Sequence, residues 1–298
     1  MKIEEIVALS GIKGLGNVSL LNILNLAKSV DTFSITCQQC QVMIINAVST
    51  RLTNTLHTFF ENPELRLDSA RQCIDSYRAA GITVISLLDA HYPDSLRRLD
   101  KPPSLLYCRG KMALLAPGRQ RVAVIGTRAP TQLGESVTKI VTEALSAKKK
   151  VIVSGLAKGI DTVAHEETIR QQEGTIAVVV DVLKVYPAAN KKLAERIVNN
   201  GGLLISENPP STKVSQGLLV QRDRIQAALS DRVYAIECRE KGGTLYAINV
   251  AFSLSILVWI PHYANWDYPD LKVEEIQGLL PLFASNKVVA FSPNDEFH

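Results

Sequence analysis

Through residues 1–90 apolar positions recur at helical spacing between polar breaks; Leu20, Leu21, Leu24 and Ala27, for example, share one helical face. This pattern predicts a small N-terminal helical domain. From about residue 121 the period changes, and short β-branched runs alternate with longer amphipathic ones joined at glycines. Six strands are expected, at RVAVIG, VIVSG, TIAVVV, LLISE, RVYAIE and ILVWI. The helices expected between them include GESVTKIVTEALSA, with Val137, Ile140, Val141, Ala144 and Leu145 on one stripe, then DTVAHEETIRQQ, KKLAERIVNN, RDRIQAAL and a helix after Gly243. Strands that alternate with helices need crossovers, so the sheet is expected to be parallel and covered on both faces. Such sheets bind ligands at the carboxyl ends of their strands, where strand order reverses.

The segment from Gly81 to Met112 is proline-rich and reads as an ordered connector packed on the main sheet; the residues after Asn265 show no strong pattern. The expected organisation is therefore a helical domain at 1–90, an α/β domain at 91–264 and a C-terminal extension at 265–298.

Composition narrows the class only slightly. The 33 Lys+Arg against 29 Asp+Glu give +4, which permits nucleic-acid binding without requiring it. Five scattered cysteines and an N-terminus without a signal-like apolar core lead us to expect a cytoplasmic protein. The most apolar run, Leu254 to Ile260, is far shorter than the ~20 residues of a membrane helix, so no membrane contact is expected.

The chemistry concentrates at glycine turns. Gly126-Thr127-Arg128 follows the first strand of the α/β region, with Gly134 behind it; a glycine at a strand end lets N–H groups, a hydroxyl and a guanidinium converge on an anion. One strand over, Ser154 and Gly155 precede Lys158, a second candidate anion turn. Asp161 is expected to cap the next helix and His165 to be a packed histidine. Arg222-Asp223-Arg224 places two cations that cannot share a helical face, so one is free for phosphate while the other pairs with Asp223 or Glu207. Lys241-Gly242-Gly243-Thr244 supplies a further turn of the same kind. Gly11-Ile12-Lys13-Gly14-Leu15-Gly16 has the form of a helix-hairpin-helix turn. Neither G-x-x-x-x-G-K-[ST] nor G-x-G-x-x-G occurs, which removes the main support for ATP hydrolysis or NAD chemistry. Cys37-Gln38-Gln39-Cys40 has the spacing of a metal knuckle without a second pair, so no metal is expected.

Taken in order, these motifs resemble the DNA-processing protein A (DprA/Smf) family over about residues 5–262. The matching text runs from GIKGLG through YPDSL, KPPSLLYCRG, VAVIGTR, SGLAKGIDTVAH, GTIAVVV, YPAANKKL, LLISENPP and RDRIQAALS to EKGGTLYAINVA. The resemblance implies an extended Rossmann-like, doubly wound, mainly parallel sheet behind the small helical domain. It also implies a non-enzymatic homodimer without cofactor that binds single-stranded DNA irrespective of sequence and loads a RecA-type recombinase in transformation or recombination. By position, it carries a phosphate site onto Gly126, Thr127, Arg128, Ser154, Gly155 and Lys158, and onward to Lys191, Arg222, Arg224, Gly243 and Thr244. Departures from the family pattern are Asp223 in place of asparagine, Val180 and Val182 in place of glycines, and Gly242 in place of serine. The chain after 264 matches the family poorly, and no winged-helix domain is expected there. The alternative reading is a sensor or phosphoribohydrolase-like enzyme for a nucleotide-derived small molecule. It is weakened because Tyr246 and Ala247 stand where a catalytic acid would be sought.

Overall fold

The computed structural model describes residues 1–263, 273–283, 285, 287–292 and 295–297. They form two compact units, one of residues 1–92 with 100–107, the other of residues 93–99 with those from 108 onward. No helix among the described residues is long and apolar enough to cross a membrane.

The first unit contains α1 (Ile3–Ser10), α2 (Asn17–Lys28), α3 (Gln38–Asn46), α4 (Thr53–Phe60), α5 (Pro63–Ala79) and β1 (Ile82–Ser86). The expected face of α2 is buried at Leu20, Leu21, Leu24 and Ala27, where it meets a core containing Ile6, Leu9, Ile44 and Leu56. Gly14 takes φ +90° in the turn between α1 and α2, a conformation that favours glycine. Glu5 is buried, and its carboxylate accepts from the N–H groups of Lys2 (2.6 Å) and Ile35 (3.0 Å). α5 starts where the Asn62 side chain accepts from Leu65 N–H at 3.1 Å, with Pro63 at the first helical position. β2 (Leu105–Gly110) begins in this unit and neighbours β1. The proline-rich connector therefore carries two strands that its sequence pattern does not announce.

The second unit holds α6 (Asp94–Arg97), then β3 (Arg121–Ile125), α7 (Gln132–Ala147), β4 (Val151–Ser154), α8 (Ile160–Arg170), β5 (Thr175–Val178), α9 (Lys191–Asn199) and β6 (Leu203–Ser206). The chain continues through α10 (Gln216–Leu229), β7 (Arg232–Ala235), α11 (Gly243–Ser253), β8 (Leu257–Pro261), α12 (Val273–Ile276), α13 (Leu280–Phe283) and β9 (Val288–Phe291). Its strands run in the order β6-β5-β4-β3-β7-β8-β9, and every pairing is parallel. The six expected strands are β3 to β8. The chain moves outward from β3 to β6, then returns to lay β7 on the other flank of β3. With right-handed crossovers this places α7, α8 and α9 on one face and α10 and α11 on the other, and α7 packs on α8 while α10 packs on α11. The fold is thus a doubly wound, Rossmann-like α/β sheet with its reversal of strand order between β3 and β7.

Thr131 caps α7 by accepting from Gly134 N–H at 3.0 Å. Leu133, Val137, Val141 and Leu145 of that helix are buried, whereas Ile140 of the expected stripe lies at its margin, 41% exposed. β9 departs from expectation. It adds a seventh strand from the C-terminal stretch, and Phe291 and Phe297 pack edge-on to one another beside Tyr234.

Candidate nucleic-acid interface

A cavity of about 330 Å³ opens at the reversal point, lined from the turn after β3, the start of α8, helix α10 and the segment between β7 and α11. Gly126 ends β3 because nothing larger fits: a Cβ there would lie 2.6 Å from Ile160 and 3.1 Å from the Glu237 carbonyl. Gly159, at φ +79°, backs onto the Thr127 carbonyl, which accepts from Ile160 N–H at 3.1 Å. The turn is thereby fixed by α8, and it carries the exposed Arg128 at the cavity wall.

Another part of the wall is the start of α11. Its N-cap, Gly242, has no side chain to cap the helix, although the Cys238 sulfur takes the Leu245 N–H; the first residues of this eleven-residue helix, and with them the positive end of its dipole, lie at the cavity wall. Arg239 and Lys241, both exposed, flank it. The Thr244 hydroxyl donates to the Gly126 carbonyl at 3.1 Å, tying the two walls together rather than being free to donate to a ligand.

The lining also includes a largely buried charge cluster. Arg222 is 3% exposed; its Nη1 donates to the Val178 carbonyl at 2.7 Å, and its Nε lies 3.0 Å from Asp223 Oδ1. The Nε–H is misaligned for a hydrogen bond, so this last contact is an ion pair only. Asp161 accepts from the N–H groups of Gly155 and Ala157 at 3.2 Å each, pinning the loop after β4 instead of capping α8. Burial pushes the carboxyls of Asp161 and Asp223 upward, Asp223 to about 6, and the Arg222 charge opposes both shifts. Burial, with Arg222 adding to it, drives His165 down to about 3, so its ring is neutral. The Thr175 hydroxyl donates to Ile152, so His165 Nδ1 must be the donor in its 2.9 Å bond to Thr175. This is a packed histidine. Among the described residues no cluster of His, Cys, Asp or Glu could hold a metal ion.

Of the sequence candidates, Gly126, Thr127, Arg128, Arg222, Gly243 and Thr244 line this cavity. The others do not. Ser154 is buried and donates to the Val124 carbonyl at 2.7 Å. Gly155 lies against the Arg222 guanidinium, where a Cβ would overlap it. Arg224 turns away to Glu207, so both arginines of the triplet are paired inside the protein, not one. Lys158 and Lys191 are exposed, in the segments that follow β4 and β5, and do not line the cavity. Val180 and Val182 are buried.

Glu237 escaped the sequence reading. Fully buried after β7, its carboxylate accepts from both the N–H (2.9 Å) and the hydroxyl of Thr131, 106 residues earlier, and so anchors the start of α7. Gly134 serves this carboxylate: a Cβ there would sit 2.5 Å from the Glu237 carboxyl carbon. Helix propensity alone favours Gly134→Ala by about 1 kcal/mol. We expect the opposite sign, a destabilisation of about 1–3 kcal/mol from overpacking against a buried charge. Urea melts of the two proteins check this, and a stabilised variant would show that Glu237 yields freely.

The DNA recombination-mediator protein A family model matches residues 83–280. The DNA processing protein DprA of Bacillus subtilis is 37% identical over 171 residues, 57% of each chain. That of Streptococcus pneumoniae is 38% identical over 161 residues, 54% of this chain and 56% of the relative. The matches span between 36% and 63% of the lengths of the curated relatives. The crystal structure of the S. pneumoniae protein aligns over 100% of this chain and 99% of its own, with TM-score 0.76 and 28% identity. A Helicobacter pylori DNA processing protein A structure, described for its single-stranded DNA binding mode, aligns over 70% of this chain and 90% of its own, with TM-score 0.61 and 27% identity. A match over more than half of the chain, to a family whose motifs lie at the reversal point of this sheet, leads to one conclusion: the chain belongs to the DNA recombination-mediator protein A (DprA/Smf) family.

Proposed function

We propose that this protein grips the backbone of single-stranded DNA without reading its bases and, as a cytoplasmic homodimer with no catalytic step, protects the strand and loads a RecA-type recombinase onto it. The observation that carries this reading is the cavity at the strand reversal, whose lining includes both the start of α11 and Arg128. Helix N–H groups and a guanidinium are donors matched to phosphate oxygens, and neither distinguishes one base from another. Lys158 and Lys191 add exposed positive charge in the segments after β4 and β5, an arrangement a charged backbone can follow over several nucleotides. The H. pylori relative described as binding single-stranded DNA supports the same ligand class.

The test is a titration with single- and double-stranded oligonucleotides at two salt concentrations. Affinity for single strands should fall steeply with salt, and Arg128→Ala should weaken binding roughly tenfold for every sequence while lowering the salt slope by about one. Binding that is absent or insensitive to salt would overturn the reading. A second reading, a nucleotide-derived small molecule as the resident ligand, is favoured by the cavity volume of about 330 Å³, within the range of single-ligand pockets. Incubation with nucleoside monophosphates, with a search for released base, separates it from the first.

A further inference from the structure

The start of α11 already has an anion over it. Asp223 projects from α10 so that its Oδ2 lies against Gly243, where any Cβ would overlap it, while its Oδ1 accepts from Gln226 at 2.7 Å and faces Arg222 Nε at 3.0 Å. A carboxylate held against the first residue of a helix is an intramolecular stand-in for a phosphate, because both answer the positive end of the same dipole. Gly243 is thus needed first for the close approach of the protein's own acid.

We propose that Asp223 is a built-in, titratable competitor for the anion site at the start of α11, admitting a phosphate when protonated and repelling it when charged. The inference deepens the DNA reading and rests on it for the source of the phosphate. The other charged and titratable groups facing the site are Asp161 from α8, Arg222 from α10 itself, Arg128 after β3, and Cys238, Arg239 and Lys241 before α11. Cys238, pushed up to about 11, keeps its proton through the neutral range. Asp161 is engaged by the two N–H groups of its own loop. Asp223, raised to about 6 chiefly by burial, is the group positioned both to titrate near neutrality and to touch α11.

If only the protonated form admits the anion, apparent affinity scales with the protonated fraction, and lowering pH from 7.5 to 5.5 should raise it about 25-fold. The experiment measures binding of sulfate, ionised throughout this range, and of oligothymidylate to the full chain and to Asp223→Asn at both pH values. The wild type should bind both ligands more tightly at pH 5.5. Asp223→Asn, of nearly the same shape, should bind with the tighter affinity at both pH values. Asp223→Ala, which also removes the charge, should follow it even if the bond to Gln226 matters for folding. Equal wild-type affinity at the two pH values, or a pH dependence that survives in Asp223→Asn, overturns the proposal. Sulfate binding with the expected pH pattern but no DNA binding upholds the anion site and sinks the DNA reading. DNA binding without that pattern does the reverse.

Discussion

Arg222→Ala is expected to destabilise the folded chain by about 3–5 kcal/mol, the range for breaking a buried ion pair from one side. That is a large share of the 5–15 kcal/mol by which ordinary domains are stable. The guanidinium donates to Val178 at 2.7 Å, and its charge offsets the burial of two carboxyls, Asp161 and Asp223. Its removal leaves both acids in a low-dielectric site and orphans the Val178 carbonyl. The loss should also depend on pH in a fixed direction. The folded value of Asp223, about 6, lies above its ordinary 3.8, so between these values the folded chain holds a proton that the unfolded chain releases, and stability falls as pH rises through the window. Without Arg222 both acids move further up, and the window widens toward alkaline pH. Urea denaturation at pH 7.5 and 5.5 should therefore show the larger penalty at 7.5. An exposed phosphate ligand would behave differently, with unchanged stability and weaker DNA binding alone.

Arg222 also marks where sequence stops being a guide. β3 to β8 are legible because both faces of each are covered, which writes continuous apolar runs such as VAVI and VIV between glycine turns. β9 lies at the sheet edge with only Phe291 buried, and β1 and β2 lie in a proline-rich stretch, so none of the three stands in the regular alternation of apolar runs, glycine turns and helices that marks β3 to β8. The same division holds at the site. Gly126, Arg128 and Gly243 are recognisable because a glycine at a strand end or helix start advertises close backbone approach. Ser154, Arg224 and Glu237 are assigned by partners far along the chain: the Val124 carbonyl, Glu207 and Thr131. Arg222-Asp223-Arg224 reads as one arginine free for phosphate beside one that is paired, and only packing reveals that both are engaged inside the protein.

Gly155→Ala provides the second large effect, and its cause is purely steric. Gly155 is not in the left-handed region, so alanine meets no backbone strain; its methyl group would instead overlap the Arg222 guanidinium. A guanidinium on a flexible stem can ordinarily step aside. This one cannot do so without breaking its bond to Val178 and its pairing with Asp223, which adds the loss of a buried ion pair to ordinary overpacking. We expect about 3 kcal/mol or more of destabilisation, with the Gly155 N–H still donating to Asp161. A double-mutant cycle isolates the cause. Where Arg222 is already alanine, the new methyl group meets an emptied space, so Gly155→Ala should then add less than about 1 kcal/mol, a coupling well outside the additivity of independent sites. Additive penalties would mean that the guanidinium is not what Gly155 makes room for, and the glycine would again read as a close approach reserved for phosphate.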